Sequence, residues 1–199
     1  TLSGLGGDPL AVLGLLLTLG GFFFKLAVFP FHFWAPDVYQ GAAHPVGAYI
    51  ATVSKVAAAG ILLRLTALTG ASGGELLRVL AVLAMASMTV GNLAAIGQTD
   101  LKRLLACSSV AHAGYVMVGL LCLGPDARAA VIFYALGVLL MKFTCFLVVV
   151  SVGPDGRNPR LEDLAGLHAR APMLALALMV ALFGLAGIPP TVGFTGKLL

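Results

Sequence analysis

Charged residues are scarce in this chain. They make up 10% of the 199 residues, whereas 60% are hydrophobic. A soluble domain carries roughly 25% charged residues, so this chain could not cover a water-facing surface with polar groups. Apolar runs of roughly 20 residues, separated by short polar breaks, are instead typical of transmembrane α-helices. The short alternating segments of a membrane β-barrel are absent from the sequence. The composition therefore predicts an all-α membrane protein.

The chain also lacks the patterns that hold nucleic acids, metals or redox cofactors. Its basic residues form no dense patch with interleaved aromatics, which argues against nucleic-acid binding. Cys107, Cys122 and Cys145 lie in apolar runs, without Cys-x-x-Cys spacing or neighbouring histidines. We interpret them as packing residues with no disulfide or metal role. No glycine fingerprint follows a predicted strand, and lone cysteines do not hold an iron–sulfur cluster. We therefore expect no cofactor and no metal in this chain.

Six apolar spans organise the sequence into a polytopic transmembrane helix bundle. Prolines interrupt the first span at Pro30 and the last at Pro189-Pro190, because proline removes a backbone donor and disfavours helix before it. The segment 153–170 is the only long polar loop, and nothing resembles a linker, so residues 1–199 are predicted to form one incomplete transmembrane domain. The predicted spans are approximately 9–29, 45–68, 76–96, 101–123, 129–152 and 171–188.

Four lysines fall inside this apolar sequence. Of the five lysines, only Lys102 is predicted to lie in a loop, and the others are Lys25, Lys55, Lys142 and Lys197. Lys55 is roughly 15 Å into its span, close to the bilayer midplane, at about 1.5 Å per residue. A central lysine costs about 2.5–3.5 kcal/mol on insertion scales. Snorkelling to an interface is the alternative for Lys25, but it does not account for all four residues. The set predicts water, partner charges or a function inside the bundle.

The physical chemistry of buried lysines favours proton transfer. Burial disfavours the ammonium form, so a buried lysine can take up and release a proton at physiological pH. Transporters tolerate proline-broken helices where the backbone lines a hydrated cavity, and each break lies near a lysine. His112, with Ser108 and Ser109 nearby, either extends such a hydrogen-bonded chain or makes an interhelical hydrogen bond. The residues leave these two alternatives for His112 open.

Several long motifs, in a fixed order, resemble the antiporter-like subunits of respiratory complex I. The similarity is greatest to the subunit N branch of bacterial NADH–quinone oxidoreductase and spans nearly the whole chain. The segments that carry it are Phe24-Lys25-Leu26, Pro30-Phe31-His32-Phe33-Trp34-Ala35-Pro36-Asp37-Val38-Tyr39-Gln40-Gly41-Ala42, Ala51-Thr52-Val53-Ser54-Lys55-Val56-Ala57, Gln98-Thr99-Asp100-Leu101-Lys102-Arg103-Leu104-Leu105, Ser108-Ser109 with His112-Ala113-Gly114-Tyr115, and Leu185-Ala186-Gly187-Ile188-Pro189-Pro190-Thr191-Val192-Gly193-Phe194-Thr195-Gly196-Lys197.

This resemblance implies a fourteen-helix fold with two inverted repeats, of which the chain is an internal fragment covering the seventh to twelfth helices. Lys25 matches the lysine of the broken seventh helix, whose glutamate partner on the fifth helix is expected before residue 1. Lys55 matches the central relay lysine, and Lys197 the lysine of the broken twelfth helix. Lys142 stands where many subunit N sequences carry an uncharged residue, and is interpreted either as an added relay station or as a mark of a divergent subgroup.

The function implied by the resemblance is proton translocation coupled to electron transfer in partner subunits. Other membrane subunits of the complex and the lipid bilayer are the expected partners, with NADH and quinone handled elsewhere. The implied location is the bacterial inner membrane, as a multi-pass protein. The alternatives are a subunit of a multisubunit cation/proton antiporter or membrane-bound hydrogenase, and a passive assembly scaffold with structural lysines.

Overall fold

The computed structural model describes residues 9–69, 74–122 and 124–199, and the named elements in these ranges are all helices. The predicted domain 1–199 therefore includes residues 1–8, 70–73 and 123, which lie outside the described ranges. The α-helices are α1 (Pro9–Leu26), α2 (Trp34–Gly41), α3 (His44–Ala51), α4 (Val53–Thr69), α5 (Gly74–Ile96), α6 (Leu101–Leu121), α7 (Pro125–Val152), α8 (Leu167–Arg170), α9 (Pro172–Ala186) and α10 (Val192–Leu198).

Four helical stretches within the described ranges are long and apolar enough to cross a membrane: His44–Leu65, Leu77–Ile96, Leu101–Leu121 and Pro125–Val152. Two shorter apolar helices, Leu13–Leu26 and Pro172–Ala186, end at the predicted proline breaks and continue as α2 and α10. The prediction of an all-α transmembrane bundle with two broken helices is confirmed.

The second predicted span contains a bend that the sequence analysis missed. α3 ends at Ala51 and α4 begins at Val53, with Thr52 between them at φ −118° and ψ −87°. The Thr52 hydroxyl donates to the carbonyl of Ala48 at 2.6 Å. A threonine that bonds back to the preceding turn is a known cause of helix bending. The bend lies three residues before Lys55 in the chain.

Small residues allow α5 and α6 to pack with their backbones in contact. A Cβ on Gly91 would lie 2.5 Å from the backbone nitrogen of Ala111, and one on Gly114 would lie 2.7 Å from the carbonyl oxygen of Ala84. Such close approach is the usual way in which helices associate inside membranes. It positions α6, which carries His112, in the centre of the bundle, where most of its side chains are buried.

The segment predicted as a polar loop, 153–170, contains a short 3-10 helix (Leu161–Leu164) and α8. Asp163 accepts a hydrogen bond from the Arg160 backbone N–H at 2.8 Å, and its carboxylate pairs with Arg157 at 3.3 Å. The backbone hydrogen bond is the main reason why the pKa of Asp163 lies below its usual value. The segment also pairs with the start of α6 through a bridge between Asp100 and Arg160.

Candidate functional site

The first helix break exposes a backbone carbonyl that a lysine binds. α1 ends in a left-handed residue, Ala27 at φ 61°, and the Val28 N–H bonds back to the Phe23 carbonyl at 2.9 Å. This capping pattern uses the carbonyl of Phe23 but leaves that of Leu26 without a helical donor. The ammonium nitrogen of Lys55, on α4, donates to the Leu26 carbonyl at 2.8 Å. A cation is favoured there because the C-terminal end of a helix carries partial negative charge.

The second break has the same backbone design and also binds a lysine. Gly187 at φ 83° ends α9, and the Ile188 N–H bonds back to the Phe183 carbonyl at 3.0 Å, as Val28 does to Phe23 in the first break. Lys197 Nζ, on α10, donates to the carbonyls of Leu185 and Ala186 at 3.0 Å each. Its ammonium also lies 4.7 Å from the ring centroid of Tyr115, within the range of a cation–π interaction.

Lys142, on α7, is 0% exposed and is held by three neutral acceptors of α6. Its Nζ lies 2.7 Å from the Leu105 carbonyl, 2.7 Å from Ser109 Oγ and 3.4 Å from Ser108 Oγ. None of these groups carries charge, so hydrogen bonds alone offset the cost of burying its ammonium group.

His112, buried on α6, lies between two cavities that contain the lysines. A cavity of about 30 Å³ is bordered by Lys55, Lys142 and His112, among others. A second cavity, of about 280 Å³, is bordered by His112 and Lys197. Each has room for at least one water molecule. The charges of all three lysines act on His112, whose Nδ1 lies 2.6 Å from the hydroxyl of Tyr134.

The structure brings four of the five predicted site residues together and leaves Lys25 apart. Lys25 lies in the last turn of α1, beside the first break, and its side chain is exposed. Within the described ranges, it makes no hydrogen bond or ion pair. The other four, Lys55, Lys142, Lys197 and His112, border the two adjoining cavities.

The prediction that Lys102 lies in a loop is wrong. Lys102 belongs to the first turn of α6 and is 0% exposed. Its Nζ donates to the carbonyls of Gln40 at 3.0 Å and Ala42 at 2.7 Å, and to Asn158 Oδ1 at 2.8 Å, with His44 Nδ1 at 3.4 Å. The polar sequence around it concealed this burial, because the acceptors come from two distant segments. The one local signal was Asp100, a preferred N-cap residue, which indicates that the helix starts at the next position.

Beside Lys102, a polar clamp joins α2 to the start of α6. Arg103 Nη1 donates to Asp37 at 2.7 Å and to Gln40 Oε1 at 2.9 Å. Gln40 Nε2 donates to Asp100 at 3.2 Å, and Asp100 in turn accepts the Arg103 backbone N–H at 3.0 Å. Two motifs that are about 60 residues apart in the sequence thus form one interlocked cluster. The clamp holds the second half of the first broken helix against α6.

Comparisons with known proteins agree with this architecture. The family model described as "NADH:quinone oxidoreductase/Mrp antiporter, TM" matches residues 4–199. NADH-quinone oxidoreductase subunit N 2 of Syntrophobacter fumaroxidans is 67% identical over 100% of this chain and 42% of its own length. A chain of the Thermus thermophilus respiratory complex I structure is 43% identical with a TM-score of 0.81, and the match covers 96% of this chain and 42% of that one. A chain of the Mrp complex from Dietzia is 30% identical with a TM-score of 0.86, over 97% and 36% of the two chains. The chain thus spans about two fifths of the length of its curated relatives.

Proposed function

Because this chain belongs to the NADH:quinone oxidoreductase/Mrp antiporter transmembrane family, we propose that it forms part of a proton-translocating membrane subunit of NADH–quinone oxidoreductase. Its several apolar helices make it a multi-pass membrane protein. The high identity to relatives named subunit N favours that subunit. We place it in a bacterial inner membrane, where partner subunits handle NADH and quinone and this chain holds no redox centre.

The observation that carries the proposal is the position of His112 between the two lysine cavities. A proton can pass from Lys55 and Lys142 to His112 on one side, and from His112 to Lys197 on the other. Lys55 and Lys142 lie close enough to interact electrostatically, so two ammonium groups there repel one another. This repulsion gives a reason for a proton to leave the first cavity once a second one arrives.

Lys25 takes the input role in this mechanism. It lies beside the first break, where the carbonyl of Leu26 accepts a hydrogen bond from Lys55. We propose that redox chemistry in partner subunits shifts charge near Lys25 and changes its ion pairing with an acidic residue that precedes this chain. The change in field then alters the proton affinity of Lys55, and Lys197 releases or reloads the proton at the far end.

The test is proton pumping by membrane vesicles that carry Lys55→Ala or Lys55→Arg in the full-length protein. We expect assembled complex in normal amounts, with pumping reduced by at least roughly tenfold in both variants. Arginine keeps the charge but does not release its proton, so it cannot relay. Arg128→Ala, which removes an exposed charge near the start of α7, serves as the control and should pump normally.

The two alternatives give different results in the same vesicles. A passive scaffold predicts that Lys55→Ala reduces the amount of assembled complex while each assembled complex pumps normally. A cation/proton antiporter, the class to which the Mrp part of the family's description refers, predicts sodium-dependent proton exchange in the absence of NADH. Pumping that requires NADH and quinone, and that Lys55→Arg abolishes, supports the proposed function over both.

A further inference from the structure

The geometry points to Tyr134 as the positioning residue that holds the His112 imidazole in the tautomer able to pass protons between the two cavities. This inference rests on the proposed function. Tyr134 comes from α7 and His112 from α6, so the contact joins the two helices that carry Lys142 and its acceptors. Tyr134 is not itself placed in the proton path.

The contact between the two side chains is short and shielded from solvent. The Tyr134 hydroxyl lies 2.6 Å from His112 Nδ1, and the ring centroids are 5.9 Å apart. Both residues are buried, with exposures of 4% and 6%. Within the described ranges, Nδ1 is the only ring nitrogen of His112 that makes a hydrogen bond to protein. Tyr134 therefore fixes the orientation of the ring through one nitrogen and leaves Nε2 available.

Hydrogen-bond chemistry explains why a phenol suits this position. A tyrosine oxygen can accept a hydrogen bond from Nδ1–H, and it can do so whether the imidazole is neutral or charged. The distance allows either direction of this hydrogen bond. In the inferred arrangement Tyr134 has the accepting role, which in the neutral ring places the proton on Nδ1 and leaves the Nε2 lone pair free to receive another. An N–H bond then forms at Nε2 as an N–H bond of a lysine ammonium, or an O–H bond of an intervening water, breaks. One proton moves, and no electron is transferred.

A tyrosine outside the site supplies the control. Tyr49, on α3, is 61% exposed and borders neither of the two cavities. Its hydroxyl makes no hydrogen bond to protein in the part of the chain that the structure describes. Removing the Tyr49 hydroxyl therefore deletes a phenol oxygen without changing a contact of the site. Removing the Tyr134 hydroxyl keeps the packing but deletes the bond to His112.

The experiment compares Tyr134→Phe with Tyr49→Phe in the full-length subunit within the assembled complex. Vesicles are assayed for the amount of assembled complex and for the initial rate of proton pumping per assembled complex with NADH and quinone. We expect Tyr134→Phe to lower this rate roughly tenfold, the effect of about one lost hydrogen bond on the barrier. Tyr49→Phe should stay within about twofold of the unmodified protein, as expected for a change that removes no hydrogen bond to described protein groups.

Two results would overturn the inference. Normal pumping per assembled complex with Tyr134→Phe would show that the hydroxyl does not position His112. A loss of assembled complex, with the remainder pumping normally, would show that its role is structural. Lys55→Arg in the same vesicles separates these failures from that of the proposed function. If Lys55→Arg pumps normally, the proposed relay is wrong. If Lys55→Arg pumps poorly but Tyr134→Phe pumps normally, only the role of Tyr134 is rejected.

Discussion

The two helix breaks are built on the same backbone plan but differ in side chains. Residues 27–34 and 187–194 correspond one to one, each with a left-handed residue followed by a proline three positions later. Ala27 occupies the left-handed position in the first break and is fully buried, whereas Gly187 occupies it in the second. Equivalent carbonyls, those of Leu26 and Ala186, each bind a lysine ammonium.

The two breaks differ most clearly in which helix supplies the lysine. At the first break, Lys55 comes from a separate helix, α4, so its bond to Leu26 joins α1 to α4. At the second break, Lys197 comes from the other half of the same broken helix. A change in charge on Lys55 therefore acts on the carbonyl of another helix, whereas one on Lys197 acts on carbonyls of its own broken helix and on the Tyr115 ring of α6.

The largest expected effect concerns the position that follows each break. A Cβ on Gly193 would overlap the carbonyl oxygen of Gly184, whereas the equivalent Phe33 is 72% exposed. Gly193→Ala should therefore destabilise the subunit by more than about 4 kcal/mol and abolish assembly. Phe33→Ala should change stability by less than about 0.5 kcal/mol. The amount of assembled complex in membranes checks both, and normal assembly of Gly193→Ala would refute the close contact of α9 with α10.

A smaller effect is expected from Lys102→Met, which breaks the attachment of α2 beside the first break. The variant leaves the Ala42 carbonyl and Asn158 Oδ1 without their donor, whereas the Gln40 carbonyl still accepts from Asn158 Nδ2. Leaving buried acceptors unpaired should lower the free energy of unfolding by about 1–3 kcal/mol. We expect a lower thermal midpoint of the purified complex but normal pumping per assembled complex below that midpoint. A pumping defect at full stability would instead place Lys102 in the proton path.

The smallest effects are expected from exchanging alanine and glycine at the left-handed position of each break, residues 27 and 187. Gly187→Ala adds strain of about 1–2 kcal/mol at a positive φ. Its Cβ would also lie 3.0 Å from Lys197 Cδ, which displaces the ammonium from its carbonyls. We expect pumping to fall severalfold. Ala27→Gly removes the same strain but adds unfolded-state entropy, so its stability should change by less than about 1 kcal/mol with normal pumping. Equal pumping by the two variants would show that the breaks do not differ at this position.

Much of the architecture was predictable from local sequence. Pro30 and Pro189-Pro190 predicted both breaks, since a proline ring cannot continue the hydrogen bonds of a helix. The bend at Thr52 was missed, because threonine occurs in straight helices as well. The burial of Lys102 was predicted wrongly, because its acceptors lie about 60 residues away on either side. The roles of Lys25, Lys55, Lys142, Lys197 and His112 remain predictions, of which the vesicle experiments test that of Lys55 directly.

The sequence by itself determined the environment and the chemistry: apolar runs that require helices in a membrane, and lysines whose burial must be compensated. Only the tertiary structure decided how that compensation is made. It assigned Lys55 and Lys197 to the carbonyls that the breaks expose, and Lys142 to a serine pair on α6. It also positioned His112 between the cavities. The physical reason is that hydrogen-bond partners from different helices depend on helix rotation and packing, which local sequence patterns do not encode.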